Sequence, residues 1–445
     1  MQTHLPDSIS PCMNVRRSCG DVMKDISYEE GGKRSVIIDE TAMKLLAEKV
    51  TGSILEKIQN DAVENNYNTR NDNTTSKSNS AAAVDECIDN LNFASWDEEN
   101  WHYCASKFHR PQMSIKYLAK QKFERVALYI MVMDCINFCF WPVTEYEVNL
   151  TSSSSSPKKN LLEYEHLAGA LRELASLDDK CNGDDVPFDE SENDDAQFDE
   201  TTIVCAEDSY ILAPQNLIKL TEDSFLKMLM PLLPSTPGNQ AGDTYIIPNA
   251  KERVRLIIEM AQALLTFHDG SATAFVGKAG RSGDKLVHLI LQYLPGFRDA
   301  TVDAQGRWVA FYKRAQILVA DLWAALGDRD VDSGKCRFDI NLCNFLDTSK
   351  ITTFADYRVP QLLRNLGVLR YSPSLSKAVD DGEEIDAFSP DELYIRASTV
   401  QAVDRLVDLV SKNVDKKTQT DINAIKMDWY LWNIGEKLDR EGSLE

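Results

Sequence analysis

Residues 250–268 read AKERVRLIIEMAQALLTFH, and apolar side chains recur along them at three- and four-residue spacing. That period is typical of an amphipathic α-helix, and Asp269-Gly270 directly after it indicates where the helix ends. The same spacing appears on both sides of this stretch. It predicts further helices at residues 42–58, 126–133, 161–177, 217–233, 282–294, 315–326, 359–369, 398–414 and 420–438.

Few stretches carry the signals of β-strands. Residues 308–312 read as a short strand set against residues 300–302, with a turn at Asp303–Gly306 between them. Because helices are predicted over most of the remaining chain, the sequence indicates a mainly α fold with a few short strands.

Three segments lack a regular pattern. Residues 1–36 read as an irregular N-terminal segment, and residues 65–80 are rich in Asn, Ser and Thr. Residues 151–199 begin with a string of serines and end in an acidic stretch, with room between them only for the short helix predicted at 161–177. Such composition buries too little apolar surface to become ordered. We therefore expect two disordered surface inserts within one domain spanning residues 37–445, because the motifs described below lie on both sides of them.

The charge of the chain is strongly acidic and unevenly spread. The formal net charge is −22 over 445 residues, and residues 178–208 carry thirteen acids and one lysine. A polyanion such as whole tRNA or DNA would be repelled by this charge. A small nucleotide bound in a locally basic pocket remains compatible with it.

The ten cysteines contain neither a CxxC pair nor a Cys/His quartet with zinc-finger spacing. The sequence opens without an apolar secretion signal, and no apolar run approaches the roughly 20 residues that span a bilayer. We therefore expect a cytoplasmic protein with reduced thiols, no bound metal and no membrane contact.

The stretch FYKRAQILVAD, residues 311–321, is the most informative for chemistry. On a helix, Lys313, Arg314, Gln316 and Asp321 fall within one arc of about 160°. Both cations lie in the first turn, where unpaired backbone N–H groups also favour an anion. The stretch is either a phosphate or carboxylate site or an ordinary solvated helix face.

Three further stretches each allow a functional and a purely structural interpretation. Phe354 and Asp356 could stack on a base and bind its ring N–H groups, or could anchor the core and cap a helix. Asp428, beside an apolar stripe that includes Trp429, is either a buried functional carboxylate or a surface acid. Asn137, in the aromatic run NFCFW, needs hydrogen-bond partners and could hold a loop or touch a ligand.

Six ordered motifs together resemble one family, the queuosine salvage proteins, which hydrolyse queuosine 5′-phosphate. The resemblance covers roughly residues 85–150 and 205–440. The motifs are Asn137–Trp141, Leu294–Asp299, Phe311–Asp321, Phe354–Gln361, Glu392–Val400 and Asp428–Trp432. The resemblance implies a single helical domain similar to helical DNA glycosylases. It also implies release of free queuine, which supplies the tRNA-guanine transglycosylase, without a cofactor or metal.

The resemblance also implies roles for individual residues. Phe354 and Asp356 look like the family's base-contacting pair, and Asp428 and Trp429 like its C-terminal site residues. A histidine after an N-terminal Trp fits His102 best, with His109 as the rival.

Asn433 is a departure, because some relatives carry a catalytic aspartate there and an amide has no negative charge. Either Asp428 carries the electrostatic role in this chain, or the chain is a non-catalytic protein that binds the queuine nucleotide. A helical scaffold whose acidic insert recruits basic partners is a third reading.

The expected mechanism places a carboxylate beside the ribose, where positive charge develops as the N-glycosidic bond breaks. We assign that carboxylate to Asp428. Asp299 is expected to pair with the cationic amine of queuine, and Lys313 and Arg314 with the 5′-phosphate.

Overall fold

The computed structural model describes residues 10–24, 36–64, 115–141, 160–181, 210–234, 245–327, 341–419 and 422–440. His102, His109, the Asn/Ser-rich insert at residues 65–80, and residues 151–159 and 182–199 of the second insert lie outside these ranges. Within them the chain is mainly helical, which confirms the predicted fold class. None of the described helices is both long and apolar enough to cross a membrane.

The elements follow one another in a chain dominated by helices. In order they are α1 (Pro11–Lys24), β1 (Val36–Ile38), α2 (Glu40–Glu64), α3 (Ile115–Cys135), β2 (Asn160–Leu161), α4 (Tyr164–Cys181), α5 (Pro214–Leu217), α6 (Glu222–Leu229), β3 (Tyr245–Ile246), α7 (Ala250–Phe267), α8 (Ala272–Gly277), α9 (Gly283–Tyr293), β4 (Ala300–Val302), β5 (Trp308–Ala310), α10 (Lys313–Leu326), α11 (Arg358–Asn365), β6 (Leu369–Tyr371), α12 (Pro373–Asp380), α13 (Pro390–Ser411), α14 (Lys416–Gln419) and α15 (Ala424–Arg440).

Local sequence accounts for many of these boundaries. Serines at positions 271, 282, 372 and 389 accept a hydrogen bond from the backbone N–H three residues later and so cap α8, α9, α12 and α13. Pro373 and Pro390 occupy first helical positions, where no N–H is needed. The predicted β4–β5 hairpin is confirmed, with Ala300 paired antiparallel to Ala310.

The chain divides into two compact units. The first comprises Met1–Asp97, Asp299–Gln316 and Asp347–Glu445, and the second comprises Glu98–Arg298 and Ile317–Leu346. The chain therefore passes between the units four times. The single domain predicted for residues 37–445 stays a prediction.

The first unit has its core among α2, α11, α12, α13 and α15, with the antiparallel β1–β6 pair at its side. Completely buried residues such as Val50, Leu362 and Leu406 come from three of these helices. When the apolar faces of these distant segments pack together, they are removed from water, which stabilises the fold by about 25 cal/mol per Å² of apolar surface.

The second unit is organised around α3, which packs against α4, α7 and α8. Residues 126–133 of α3 are completely buried, which confirms the buried helix predicted there. A helix that is apolar on every side has to lie inside the unit that contains it.

Three predictions about local structure are wrong. Residues 160–181, within the segment predicted to be a disordered surface insert, form β2 and α4, and Leu167 and Leu171 of α4 are completely buried. Residues 11–24 of the segment predicted to be irregular form α1, because Val15, Cys19 and Val22 bury one face of that helix, which packs against α13 and β5. The helix predicted at 359–369 ends at Asn365. Gly367 adopts φ +71°, and Leu369 joins β6 instead.

Candidate active site

Asp428 is a buried acid in the first turns of α15, with only 3% of its surface exposed. Its Oδ1 atom accepts a hydrogen bond from the Thr353 hydroxyl and another, of 2.8 Å, from the Phe354 N–H. Both donors lie in residues 351–356, a segment without regular secondary structure just before α11. Asp428 is therefore a buried carboxyl and not a surface acid, which were the two interpretations of the sequence.

Asp356 lies just before α11 and is half-buried. Its Oδ1 atom accepts hydrogen bonds from the N–H groups of Arg358 and Val359, at 3.0 and 3.2 Å. A helix leaves its first N–H groups without partners inside the helix, so a carboxylate here is both oriented and stabilised.

The two carboxyl groups influence each other. Burial raises the pKa of Asp428 to about 8, and the neighbouring Asp356 carboxyl adds to the rise, while the Thr353 hydroxyl and the Lys313 ammonium oppose it. Burial also raises the pKa of Asp356, against the opposing effect of Lys313. Carboxyl groups whose charges repel in this way resist being ionised together, which is typical of paired acids in active sites.

Lys313 is the first residue of α10 and supplies positive charge to the same cluster. Burial lowers the pKa of its ammonium, and the repulsion of Arg396 and Arg314 adds to this, while Asp356 and Asp299 work in the opposite direction. Lys313 thus lies within electrostatic reach of both members of the carboxyl pair. This grouping supports the anion-site reading of residues 311–321.

The start of α10 is fixed to the carboxyl-bearing segment through Gln316. The amide of this buried residue donates to the Phe311 carbonyl at 2.9 Å and to the Thr352 hydroxyl at 2.8 Å. Its oxygen accepts the Thr352 N–H at 2.8 Å. Thr352 precedes Thr353, so this amide holds Lys313 and the donors to Asp428 in one arrangement.

Asp299 is paired within the protein. Both of its carboxylate oxygens bind the guanidinium of Arg396, and Oδ2 also accepts the Lys313 N–H at 3.1 Å. Burial alone would raise the pKa of Asp299, but Arg396 holds it below its ordinary value. Its pairing with a ligand amine stays a prediction.

The C-terminal helix contributes two other predicted residues. Trp429 is buried, with 6% of its surface exposed, and Asn433 is half-buried. Asn433 follows Asp428 by five residues and so lies about 140° around the helix axis from it. The two side chains therefore face different surroundings, and only Asp428 faces the Thr353–Phe354 segment.

Asn137 belongs to the second unit, whereas the cluster described above belongs to the first. Its loop, residues 136–141, is held by the fully buried Arg253. This guanidinium donates to the carbonyls of Ile136, Phe138 and Cys139 and lies against the ring of Phe138. The ligand role of Asn137 stays a prediction.

A cavity of about 240 Å³ opens elsewhere in the first unit. Its lining includes Val302, Arg307, Phe388 and Tyr394, and none of the predicted site residues. Among the described residues, no group of three or more His, Cys, Asp or Glu side chains is arranged to hold a metal ion. The candidate site is therefore identified by its charge cluster.

Sequence reasoning missed three residues that shape this cluster: Thr353, Gln316 as a linker, and Arg396. Gln316 had been assigned to the polar arc of α10, but its amide is completely buried. A polar side chain on a predicted helix reveals neither its burial nor its partner. Only Arg396 had a usable signal, since it lies within the motif Glu392–Val400.

Comparison with known proteins places this cluster in context. The chain matches the queuosine salvage protein family over residues 116–182 and 202–444, and the gap between the two ranges falls inside the acid-rich stretch at residues 178–208. It is 31% identical to a queuosine 5′-phosphate N-glycosylase/hydrolase of Dictyostelium discoideum over 369 residues, which covers 81% of this chain and 89% of the relative. A protein of the same name from Sphaerobacter thermophilus is 30% identical over 71% of this chain and 77% of its own length. One from Bos taurus is 38% identical over 42% of this chain and 52% of its own length.

Proposed function

The chain belongs to the queuosine salvage protein family, and we propose that it hydrolyses the N-glycosidic bond of queuosine 5′-phosphate. The products are free queuine and ribose 5-phosphate. The observation that carries this proposal is the interaction between the half-buried Asp356 carboxyl, the buried Asp428 carboxyl and the Lys313 ammonium. N-glycoside hydrolysis needs an acid near the sugar and a cation for the phosphate, and this cluster supplies both.

Asp428 is the proposed carboxylate beside the ribose. As the bond between the sugar and the base breaks, its electron pair leaves with the base and the anomeric carbon becomes positive. An ionised Asp428 stabilises that charge and orients the water that attacks the carbon. Thr353 and Phe354 hold the carboxyl in place, so no reorganisation is needed during the reaction.

Asp356 and Phe354 are the proposed base-contacting residues. Asp356 would accept hydrogen bonds from the guanine-like edge of the base, and the Phe354 ring would stack against it. A 7-deazapurine has no N7 to protonate, so help for the leaving group has to come from such hydrogen bonds. Trp429, buried next to Asp428, would complete the wall of the site.

Lys313 and Arg314 are the proposed phosphate ligands. Both lie in the first turn of α10, where the helix dipole adds to their charge. We keep Asn137 and His102 as substrate contacts and Asn433 as a catalytic residue. We do not assign Asp299 to the queuine amine, because Arg396 already binds both of its oxygens.

The remaining expectations belong to the same proposal. Residues 37–445 act as one catalytic domain, in the cytoplasm, on a small nucleotide and without direct contact with nucleic acid. The released queuine serves the tRNA-guanine transglycosylase. No metal or other cofactor takes part.

The direct test is to incubate the purified protein with queuosine 5′-phosphate and to measure free queuine by liquid chromatography and mass spectrometry. We expect release by the wild type and its loss by at least about 100-fold in Asp428→Asn. This variant retains an oxygen for the Thr353 and Phe354 donors but not the negative charge. Asp380→Asn is the matched control, because Asp380 is an exposed acid paired with Arg364 on the surface. Full activity of Asp428→Asn would contradict the assignment of Asp428 as the carboxylate beside the ribose.

The alternative is a non-catalytic protein that binds the queuine nucleotide, which Asn433 favours. Titration calorimetry with queuosine 5′-phosphate, beside the release assay, separates the two functions. Binding without release supports this alternative. The absence of both binding and release would favour the helical scaffold.

A further inference from the structure

Arg396 is a buried arginine on α13, in a motif that the proposed chemistry leaves without a role. Its guanidinium carbon lies 4.0 Å from the centre of the Phe311 ring. Its terminal nitrogens bind both oxygens of Asp299, and its Nε donates to the Ala355 carbonyl at 3.0 Å. One side chain therefore joins three separate parts of the candidate site.

The contacts of Asp299 extend this arrangement to α10. Its Oδ2 atom accepts the Lys313 N–H, and its backbone carbonyl accepts the N–H groups of Phe311 and Tyr312. Ala355 is the residue before Asp356, so the bond from Arg396 also fixes the peptide that leads into that acid. A planar guanidinium suits this task, because it presents several donors in fixed directions.

We propose that Arg396 is a positioning residue for the hydrolysis: it occupies the Asp299 carboxylate and so leaves the Lys313 ammonium available to the substrate phosphate. This inference rests on the proposed function. Its physical basis is competition between charges, since an unpaired carboxylate next to Lys313 would attract the ammonium at least as strongly as a ligand does.

The charges around Lys313 define what the removal of Arg396 would do. Asp299 and Asp356 attract the ammonium, while Arg396 and Arg314 repel it. Loss of Arg396 removes one repelling group and at the same time releases Asp299. The ammonium would then pair with Asp299, away from the position of the phosphate.

The test compares Arg396→Met with the double variant Arg396→Met/Asp299→Asn. We expect Arg396→Met to lower kcat/KM for queuosine 5′-phosphate by about 100-fold. Asp299→Asn removes the competing charge but keeps an oxygen for the Lys313 N–H. The kcat/KM of the double variant should therefore be at least about tenfold higher than that of Arg396→Met. A double variant no more active than the single one would overturn the proposal.

Arg16→Met is the matched control. Arg16 binds a carboxylate, that of Asp404, and the carbonyls of Lys350 and Ile351, but none of the proposed site residues. If arginines that bind a carboxylate and backbone carbonyls matter here only for folding, Arg16→Met and Arg396→Met should lower activity alike. We expect Arg16→Met to lower thermal stability and to leave kcat/KM within about twofold of the wild type.

A second readout needs no substrate. Acetic anhydride modifies unprotonated amines, so the pH dependence of Lys313 acetylation, followed by mass spectrometry, reports the pKa of this ammonium. We expect that pKa to rise in Arg396→Met and to fall again in the double variant. An unchanged pKa in Arg396→Met would contradict the proposal. If the wild type releases no queuine, the proposed function fails, and the acetylation result still decides whether Arg396 positions Lys313.

Discussion

The residue that dominates the chemistry of this site is an acid whose pKa lies near neutrality. Burial and the neighbouring Asp356 raise the pKa of Asp428 to about 8, so the ligand-free protein at neutral pH keeps a proton on it. The proposed reaction needs the ionised form. The substrate's own positive charge, and the charge that develops on the ribose, would favour loss of this proton.

The dependence of kcat/KM on pH follows from that protonation. We expect kcat/KM to rise with pH up to about 8, because this ratio reports ionisations of the free enzyme. The Thr353 hydroxyl lowers the pKa of Asp428, so Thr353→Val should move the rise to higher pH. Thr353→Ser, which keeps a hydroxyl, should leave it in place. Rates that fall through pH 8 would indicate that Asp428 acts as an acid.

The same pKa makes Asp428 costly for stability. Its value in the folded protein lies above the ordinary 3.8, so the folded state binds the proton more tightly than the unfolded state. The contribution of Asp428 to the free energy of unfolding is then full below about pH 4 and is lost as pH rises through 8. At pH 8, Asp428→Asn should therefore have a higher free energy of unfolding than the wild type, by up to about 5 kcal/mol.

Chemical denaturation at pH 5 and pH 8 would measure this difference. The gain in free energy of unfolding from Asp428→Asn should be clearly smaller at pH 5. Asp380→Asn, on the surface, should show no such pH dependence. An equal effect of Asp428→Asn at both pH values would contradict the assigned cause.

At the scale of elements, the contact between α11 and α15 depends on one glycine. Arg358 lies across Gly435 and binds Glu436 and Asp439 at 2.7 and 2.9 Å. A Cβ atom at Gly435 would meet the Cγ and Cδ atoms of Arg358 at 2.9 Å. A side chain there has to displace the Arg358 side chain, which joins the two helices that carry Asp428 and the N–H groups that hold Asp356.

Gly435→Ala should lower the free energy of unfolding by about 1–3 kcal/mol, because it overpacks this contact. Gly52→Ala is the matched control. Gly52 also lies inside a helix, but nothing lies within 4 Å of its added Cβ. That change should stabilise the protein by up to about 1 kcal/mol, through helix propensity alone. Urea titration of both variants tests the pair, and equal shifts would contradict the packing argument.

The sequence predicted helices better than it predicted the site's connections, for a physical reason. Amphipathic helices such as α7 leave a periodic record of which face is buried. In α1, Cys12, Val15, Cys19 and Val22 also recur at three- and four-residue spacing, but the helix has only 14 residues. Residues 351–356 have no period at all, so nothing local indicates that Thr353 and Phe354 bind Asp428.

The sequence also did not predict which residues would form hydrogen bonds with each other. Asp356, Asp428 and Lys313 were predicted as functional groups, and the structure brings them together. Arg396 and Gln316 were not predicted as connectors. Their roles depend on which distant segments they meet, and local spacing contains no information about that.

At the scale of the whole molecule, the net charge of −22 bears on the choice of substrate. Repulsion should keep intact tRNA away, while the local cations still accept one phosphate. At physiological salt we expect fluorescently labelled tRNA to show no binding tighter than about 1 μM by anisotropy. Excess tRNA should also leave the hydrolysis rate unchanged. Submicromolar binding would contradict this assignment.

The interleaving of the two units also has a consequence for synthesis on the ribosome. The first unit joins α1 and α2 to α15. The nascent polypeptide therefore has to wait for α15 to emerge before this unit can close. Until then the apolar face of α2 lacks its C-terminal neighbours, and a premature stop codon before position 428 would leave a polypeptide that can neither finish folding nor form the acid pair.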